Sequence, residues 1–337
     1  MPSTSGAASQ STATALAQFL APELSALDRR LRATLSSDVS LVQSVADYIV
    51  TGGGKRLRPI LVFLSAKAAG ADSLSPAVVD LAATVELIHT ATLLHDDVVD
   101  ESSLRRGRAT ANAAFGNAAS VLVGDFLYSR SFQVMVGVGK MRVLELLSEA
   151  TNRIAEGEVM QLMALGRLDL SEDDYMSVIE AKTAKLFEAS GALGAIAAGA
   201  STGTERALAE YARRLGVAFQ IADDVLDYRG EANTLGKALG DDLAEGKLTL
   251  PIIVALKRAD AAGQQLIRDA MSNPHGDDAA HFARVMAVLD GCGALNASLD
   301  RAKVEAERAA TELAALPDSE ARRWMLELCS YSVGRNV

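Results

Sequence analysis

Two stretches of the chain carry the same unusual run of acids. Asp96, Asp97 and Asp100 close an apolar segment that begins near Glu86, and Asp223, Asp224 and Asp227 close another that begins near Phe219. On a helix, residues four apart share a face, so each run sets two carboxylates side by side. Like charges at that spacing cost an isolated helix roughly 0.2–0.5 kcal/mol, and acids at a helix C-terminus also oppose its macrodipole. Glu101 adds one more negative charge to the first run. A single run of this kind is usually a solvated face. Two copies, each closing an apolar helix, point to function and to a missing cation. Mg2+ takes oxygen ligands in octahedral geometry and bridges carboxylates to substrate phosphates. Two such helix ends facing each other would hold several ions over one diphosphate and make it a better leaving group.

Basic residues lie elsewhere in the chain. Gly52-Gly53-Gly54 is followed by Lys55-Arg56-Leu57-Arg58-Pro59, with Pro59 placed to open the next helix. Backbone N–H groups, a helix N-terminus and three cations at one entrance make a phosphate cradle, although a flexible turn with solvated charges fits the same residues. The spacing matches neither a Walker A loop nor a dinucleotide fingerprint. His89 stands two turns before Asp96 on the same face, within reach of an anion held there, or is a packed core residue. His95 reads as structural. Arg105-Arg106-Gly107-Arg108 directly follows the first acids and makes either simple salt bridges or a second hold on a diphosphate. Lys182 and Lys185 sit in an apolar helix, where they need anionic partners or must snorkel to the surface.

The elements that position these groups read as helices. Alanine and leucine are abundant and only 7 prolines interrupt 337 residues. Helical spacing runs over Leu16–Leu35, over 39–50 with Asp38 as cap, over 60–69, from Pro76 through the first acids, over 121–135 and over 144–165, a helix that carries Glu156 and Glu158. Ser171 or Asp173 caps the helix of Lys182. After the second acids, Gly230–Gly246, with Lys237 inside and Lys247 just beyond, reads as a mobile flap. Helices resume at Leu250, with loops near Asn273-Pro274 and Pro317. No strand-rich region and no solenoid repeat is present.

Bulk properties narrow the classes. A net charge of −10 argues against nucleic acid as a partner. Cys292 and Cys329 lack any metal-ligand spacing and read as reduced core thiols. Residues 1–14, rich in Ser, Ala and Thr, read as a disordered tail with neither signal-peptide nor transit-peptide character, ahead of one domain over 15–337. Ala189–Thr202 is the most lipid-like stretch, yet too short to span a bilayer, and its small residues suit close helix packing. The expectation is a cytoplasmic protein with peripheral membrane contact at most.

These motifs, in this order and spacing from Leu41 to Arg335, resemble the signature set of the trans-polyprenyl diphosphate synthases. The runs around His89–Glu101 and Ala111–Phe126 are most similar to the bacterial octaprenyl members. The resemblance implies an all-α antiparallel helical bundle around a deep central cavity, as a homodimer. It implies repeated condensation of isopentenyl diphosphate onto an allylic diphosphate such as farnesyl diphosphate, giving a polyprenyl, by likeness octaprenyl, diphosphate for a quinone side chain. Three Mg2+ would be held by Asp96, Asp100 and Asp223, with Asp97, Asp224 and Asp227 in support. Lys55, Arg58, His89 and Arg106 would bind isopentenyl diphosphate, and Arg105, Lys182, Gln220, Lys237 and Lys247 the allylic diphosphate. Thr183 and Gln220 would turn oxygens toward a carbocation, and released diphosphate would take the proton. Ala91 and Thr92, small where short-chain relatives are aromatic, would leave the tunnel open, with Met135 and Leu147 as its floor. A terpene cyclase fits less well, because the second acidic run and the basic cradle are both present. A non-catalytic partner subunit would be expected to lose one acidic run.

Overall fold

The computed structural model describes residues 4–52, 54–71, 75–105, 107–229, 240–272 and 279–334. The chain enters through α1 (Thr4–Phe19) and α2 (Ala21–Leu35). Helix α1 covers most of the stretch expected to be a tail, and its end is anchored by buried Leu16 and Leu20 and by Phe19 beside Trp324, ring centroids 6.1 Å apart. The expected single helix over Leu16–Leu35 breaks at Leu20 because Pro22, in the first turn of α2, has no N–H to continue the ladder. Helix α3 (Ser40–Thr51) starts at Val39 with no side-chain cap, so Asp38 does not play that part. Then come α4 (Leu57–Ala68) and α5 (Pro76–Val99).

A two-residue hairpin, β1 (Leu104–Arg105) with β2 (Arg108–Ala109), follows the first acids and is the sole sheet among the described residues. Helices α6 (Ala111–Phe115), α7 (Asn117–Gly137) and α8 (Met141–Ala164) come next. Helix α9 (Glu172–Ile179) opens on a capping box in which Ser171 and Asp174 exchange hydrogen bonds. It passes through a π turn, Glu180–Ala184, into α10 (Lys185–Ala198). The 28-residue α11 (Thr202–Arg229) leads to α12 (Asp241–Ala244), α13 (Leu250–Arg258), α14 (Ala261–Ser272), α15 (Ala279–Gly291), α16 (Ala294–Glu312) and α17 (Glu320–Val333).

Helix α11 is the spine. Leu208, Tyr211 and Leu215 on its first half pack into one apolar core with α2, α4, α5, α7, α8, α10 and α17. Ile221, Val225 and Tyr228 on its second half pack into another with α9 and α12–α16. Helix α16 runs alongside α11 and also spans both cores, with Leu295 and Leu299 in the second and Ala306 and Ala309 in the first.

Glycines let α10 lie between α4 and α11. A Cβ on Gly191 would fall 2.3 Å from the Leu208 carbonyl oxygen, and one on Gly194 would fall 2.5 Å from that of Val62. The close packing expected of Ala189–Thr202 is therefore present. Among the described residues the helix long and apolar enough to cross a membrane is instead α5, Pro76–Val99, and 61% of its apolar window is buried inside the protein. That corrects the choice of Ala189–Thr202 as most lipid-like. Helix α5 is apolar because it runs through the middle of the bundle.

Candidate active site

The first acids end α5. Asp96 and Asp100 are each answered by a lysine from a distant segment. Lys182 Nζ lies 3.4 Å from Asp96 Oδ2 and 2.5 Å from Glu158 Oε2 on α8. Lys247 Nζ lies 2.8 Å from Asp100 Oδ2 and 2.5 Å from Glu245. Burial alone would lower the Lys247 ammonium, but Glu245, Asp100 and Asp242 outweigh it and raise its pKa. Lys185 likewise has anionic partners, Glu149 at 2.9 Å and Glu188 at 3.0 Å.

Lys182, which meets Asp96, lies within the π turn. Helix α8 comes so close that a Cβ on Gly157 would fall 2.6 Å from the Lys182 backbone nitrogen, and on the other side one on Gly216 would fall 2.9 Å from Ala184 Cα. The extra residue of a π turn shifts the side chains around it, a device frequent at functional sites.

Asp97 differs from its neighbours. It is only 4% exposed, and its Oδ1 accepts from Arg105 Nε at 2.8 Å, with Arg105 Nη2 at 2.7 Å. Asn112 Nδ2 donates to the Asp97 carbonyl at 3.0 Å and closes the helix end. Asp97 and Arg105 are thus joined to each other, and the hairpin they anchor shapes the exit from α5. The sequence places Asp97 in support of the metal site and Arg105 at the allylic diphosphate, and here the two pair with each other. The structure engages both internally.

In the second run, Asp223 is exposed and Asp224 is 4% exposed. Asp224 accepts from Tyr175 OH at 2.6 Å and from Gln220 Nε2 at 2.8 Å, and Gln220 Oε1 accepts from Thr183 Oγ1 at 2.8 Å. Burial, then the negative Asp242, holds the Asp224 carboxyl well above the usual carboxylate range, against the pull of those hydrogen bonds. A buried carboxyl with these partners is not presented as Asp223 is. Asp227 Oδ2 accepts from the Asp242 backbone N–H at 3.2 Å and its carbonyl from Gly240 N at 2.9 Å, so it caps the entry to α12. Part of the expected flap is therefore ordered helix, while Lys237 within 230–239 lies outside the described residues, as does Arg106.

Lys55 is exposed and Arg58 half-buried at the start of α4. The Arg58 guanidinium stands 4.7 Å over the Phe187 ring, and Phe187 lies 5.6 Å from Phe219, the neighbour of Gln220. Packed aromatics thus connect the basic entrance to the second acidic run. His89 is half-buried on α5. Arg108 stacks over Tyr48 at 4.7 Å, and its Nη1 is 3.6 Å from where a Cβ on Gly52 would stand. The hairpin therefore brings a further arginine to the glycine loop.

A cavity of about 830 Å³ opens below Asp96 and Asp100 between α5, α7 and α8. Thr92 lines it, with Tyr128 and Phe132 from α7 and Ile154 and Ala155 from α8. Glu158 and His95 stand in its wall. Of the four positions expected to set its length, Ala91, Met135 and Leu147 do not line it. They are at most 1% exposed and belong to the first core. The spacing that placed them could not say which helix faces turn toward the void.

Two groups at the site escaped the sequence reading. Glu158 was visible only as an acid on a long helix. Burial, then the negative charge of Asp96, pushes it up to about 7, with Lys182 pulling the other way. Tyr175 carried no signal beyond being an aromatic on a short helix. Arg108, read from the sequence with the basic run as a salt-bridge or diphosphate residue, stands instead over Tyr48. Among the described residues no three His, Cys, Asp or Glu side chains converge into a ready metal centre. The available donors at the two acidic ends are carboxylate oxygens, which suit a hard divalent ion that takes its remaining ligands from phosphate and water.

The chain matches the family model described as Polyprenyl synthetase over residues 39–289. It is 47% identical over 320 residues to the octaprenyl diphosphate synthase of Escherichia coli (strain K12), covering 95% of this chain and 98% of that protein. Among solved structures it resembles a polyprenyl synthase from Caulobacter crescentus CB15 complexed with calcium and isoprenyl diphosphate, with a TM-score of 0.92 and 42% identity over 96% of this chain and 98% of that one. A decaprenyl diphosphate synthase from Rhodobacter capsulatus superposes with a TM-score of 0.89 and 44% identity over 96% of this chain and 99% of that one.

Proposed function

This chain belongs to the polyprenyl synthetase family, and on that premise we propose that it elongates an allylic diphosphate, farnesyl diphosphate for preference, with successive isopentenyl diphosphates to an octaprenyl product destined for a quinone side chain. The observation that carries this reading is the cavity of about 830 Å³ directly below Asp96 and Asp100, large enough to take a growing apolar chain whose diphosphate stays at the acidic mouth. Asp96, Asp100 and Asp223 would hold three Mg2+, which would supply Lewis-acid stabilisation of the leaving diphosphate.

The chain's own residues do the rest. Lys182 and Lys247 already neutralise Asp96 and Asp100 across helices and turn to the allylic diphosphate when it enters, with Lys237 and Arg105 in support. Lys55, Arg58, His89 and Arg106 hold isopentenyl diphosphate. Thr183 and Gln220 present oxygens to the allylic cation. The apolar wall below excludes water, which would otherwise quench that cation. The leaving diphosphate takes the proton lost from the new unit. Asp97, Asp224 and Asp227 keep the helix ends in place.

Residues 15–337 act as one catalytic domain in a cytoplasmic homodimer. Apolar side chains exposed along α7 and α8, among them Phe132, Val136, Met141, Leu162 and Met163, support a second copy there, and any membrane contact at product release is peripheral. The test is incubation of the purified protein with farnesyl diphosphate, labelled isopentenyl diphosphate and Mg2+, followed by sizing of the prenols. An eight-unit product supports the full reading, a longer or shorter ladder corrects its length, and no elongation refutes it. Thr92→Phe, which fills the cavity just below the mouth, is expected to shorten the product while the first condensations persist.

A further inference from the structure

Tyr175 has no part in the chemistry described above, yet it is the buried end of a hydrogen-bonded chain that ends at Gln220 and Thr183, the two residues proposed to face the allylic cation. Helix α9 holds it rigidly, pinned at one end by the Ser171–Asp174 capping box and packed along its length in the second core through Ile179. Its hydroxyl meets Asp224 Oδ2 at 2.6 Å, while Gln220 Nε2 meets Asp224 Oδ1 at 2.8 Å and Thr183 Oγ1 meets Gln220 Oε1 at 2.8 Å. All four groups are buried or half-buried and come from three different elements, α9, the π turn and α11.

The order of donors and acceptors matters. An amide has two ends, and only the pairing of its NH2 with a carboxylate oxygen leaves the carbonyl end pointing at Thr183. That carbonyl takes the Thr183 proton, so the lone pairs of Thr183 and the free lone pair of Gln220 are what remain for a positive charge. A carboxylate with one oxygen unsatisfied could rotate and release the amide. Tyr175 occupies that oxygen.

We propose that Tyr175 is a positioning residue that locks Asp224, and through it Gln220 and Thr183, with oxygens rather than hydrogens toward the allylic cation. The inference rests on the prenyl-transfer reading. Removing the hydroxyl lets Asp224 and Gln220 reorient, which weakens stabilisation of the transition state and leaves both diphosphate sites intact.

The experiment compares Tyr175→Phe, Gln220→Ala and the double variant in the elongation assay, with Ile179→Ala as a packing control from the same helix. Tyr175→Phe is expected to lower kcat about 10-fold with KM for either diphosphate within about twofold. In the Gln220→Ala background it is expected to lower kcat no further, because the two act through one chain. Ile179→Ala is expected to lower the melting temperature without this loss of kcat. Equal loss of kcat in the Ile179 control, or additive effects in the double variant, would overturn the inference while wild-type elongation keeps the function standing. Failure of the wild type to elongate at all would instead remove the function itself.

Discussion

The two acidic runs share one sequence pattern and sit in opposite surroundings. At the end of α5, Asp96 and Asp100 face lysines and Asp97 faces an arginine. On α11, Asp224 is met by a phenol and an amide, and Asp227 by a backbone N–H. The acids of the first run meet cations, whereas Asp224 in the second meets neutral donors. Yet the geometry repeats in one respect: the second acid of each run is 4% exposed, while the first and last are more accessible. The helix explains this. One step turns the side chain about 100° from its neighbour, so the second acid points into the bundle while positions one and five share the open face. The pattern is therefore two presented carboxylates and one internal anchor, used twice.

The largest test of that symmetry is on the presented acids. Asp96→Ala and Asp223→Ala are each expected to lower kcat by about 10³. If steady-state kinetics show that only one of them matters, the runs do not act on one diphosphate.

The anchors should separate the runs by stability. Asp97→Asn leaves Arg105 half-buried without its counter-charge and is expected to cost about 2 kcal/mol in urea unfolding, less than a fully buried pair because Arg105 keeps some water. Asp224→Asn keeps the shape of a side chain whose partners are the neutral donors Tyr175 and Gln220, and is expected to cost about 1 kcal/mol or less. The reverse order would mean that charge balance, as described here, is wrong for one of the runs.

The smallest effect concerns Glu158, which belongs to the charged side. Its pKa is raised from 4.5 to about 7, so the proton it keeps in the folded state stabilises fully below about pH 4.5. That contribution is lost as pH rises through about 7. Metal-free protein carrying Glu158→Gln should lose about 1 kcal/mol less between pH 5 and pH 8 than the parent in thermal or urea unfolding. An unchanged pH profile would show that Lys182 already holds Glu158 ionised.

Much of this protein was legible before any coordinates. Period and composition carry helix content, because apolar spacing and the rarity of proline are local properties. The acidic runs, the glycine loop and Lys182 stood out because each violates a local rule. The helix α1 lay beyond local signals, because its anchor, Trp324, is far along the chain, whereas the break at Leu20 was written locally in Pro22 and masked only by the apolar spacing on either side.

Only the fold decided which neighbours those groups would have. Asp97 and Asp96 are adjacent in sequence, and nothing local says that one meets Arg105 and the other Lys182. The same holds for Thr92, which lines the cavity, and Ala91 beside it, which is packed in the core. The amino-acid order determined what each helix could do, through periodicity and charge. Packing determined which face met which partner, because hydrogen bonds and ion pairs act over a few ångströms and join residues that lie as much as 147 positions apart.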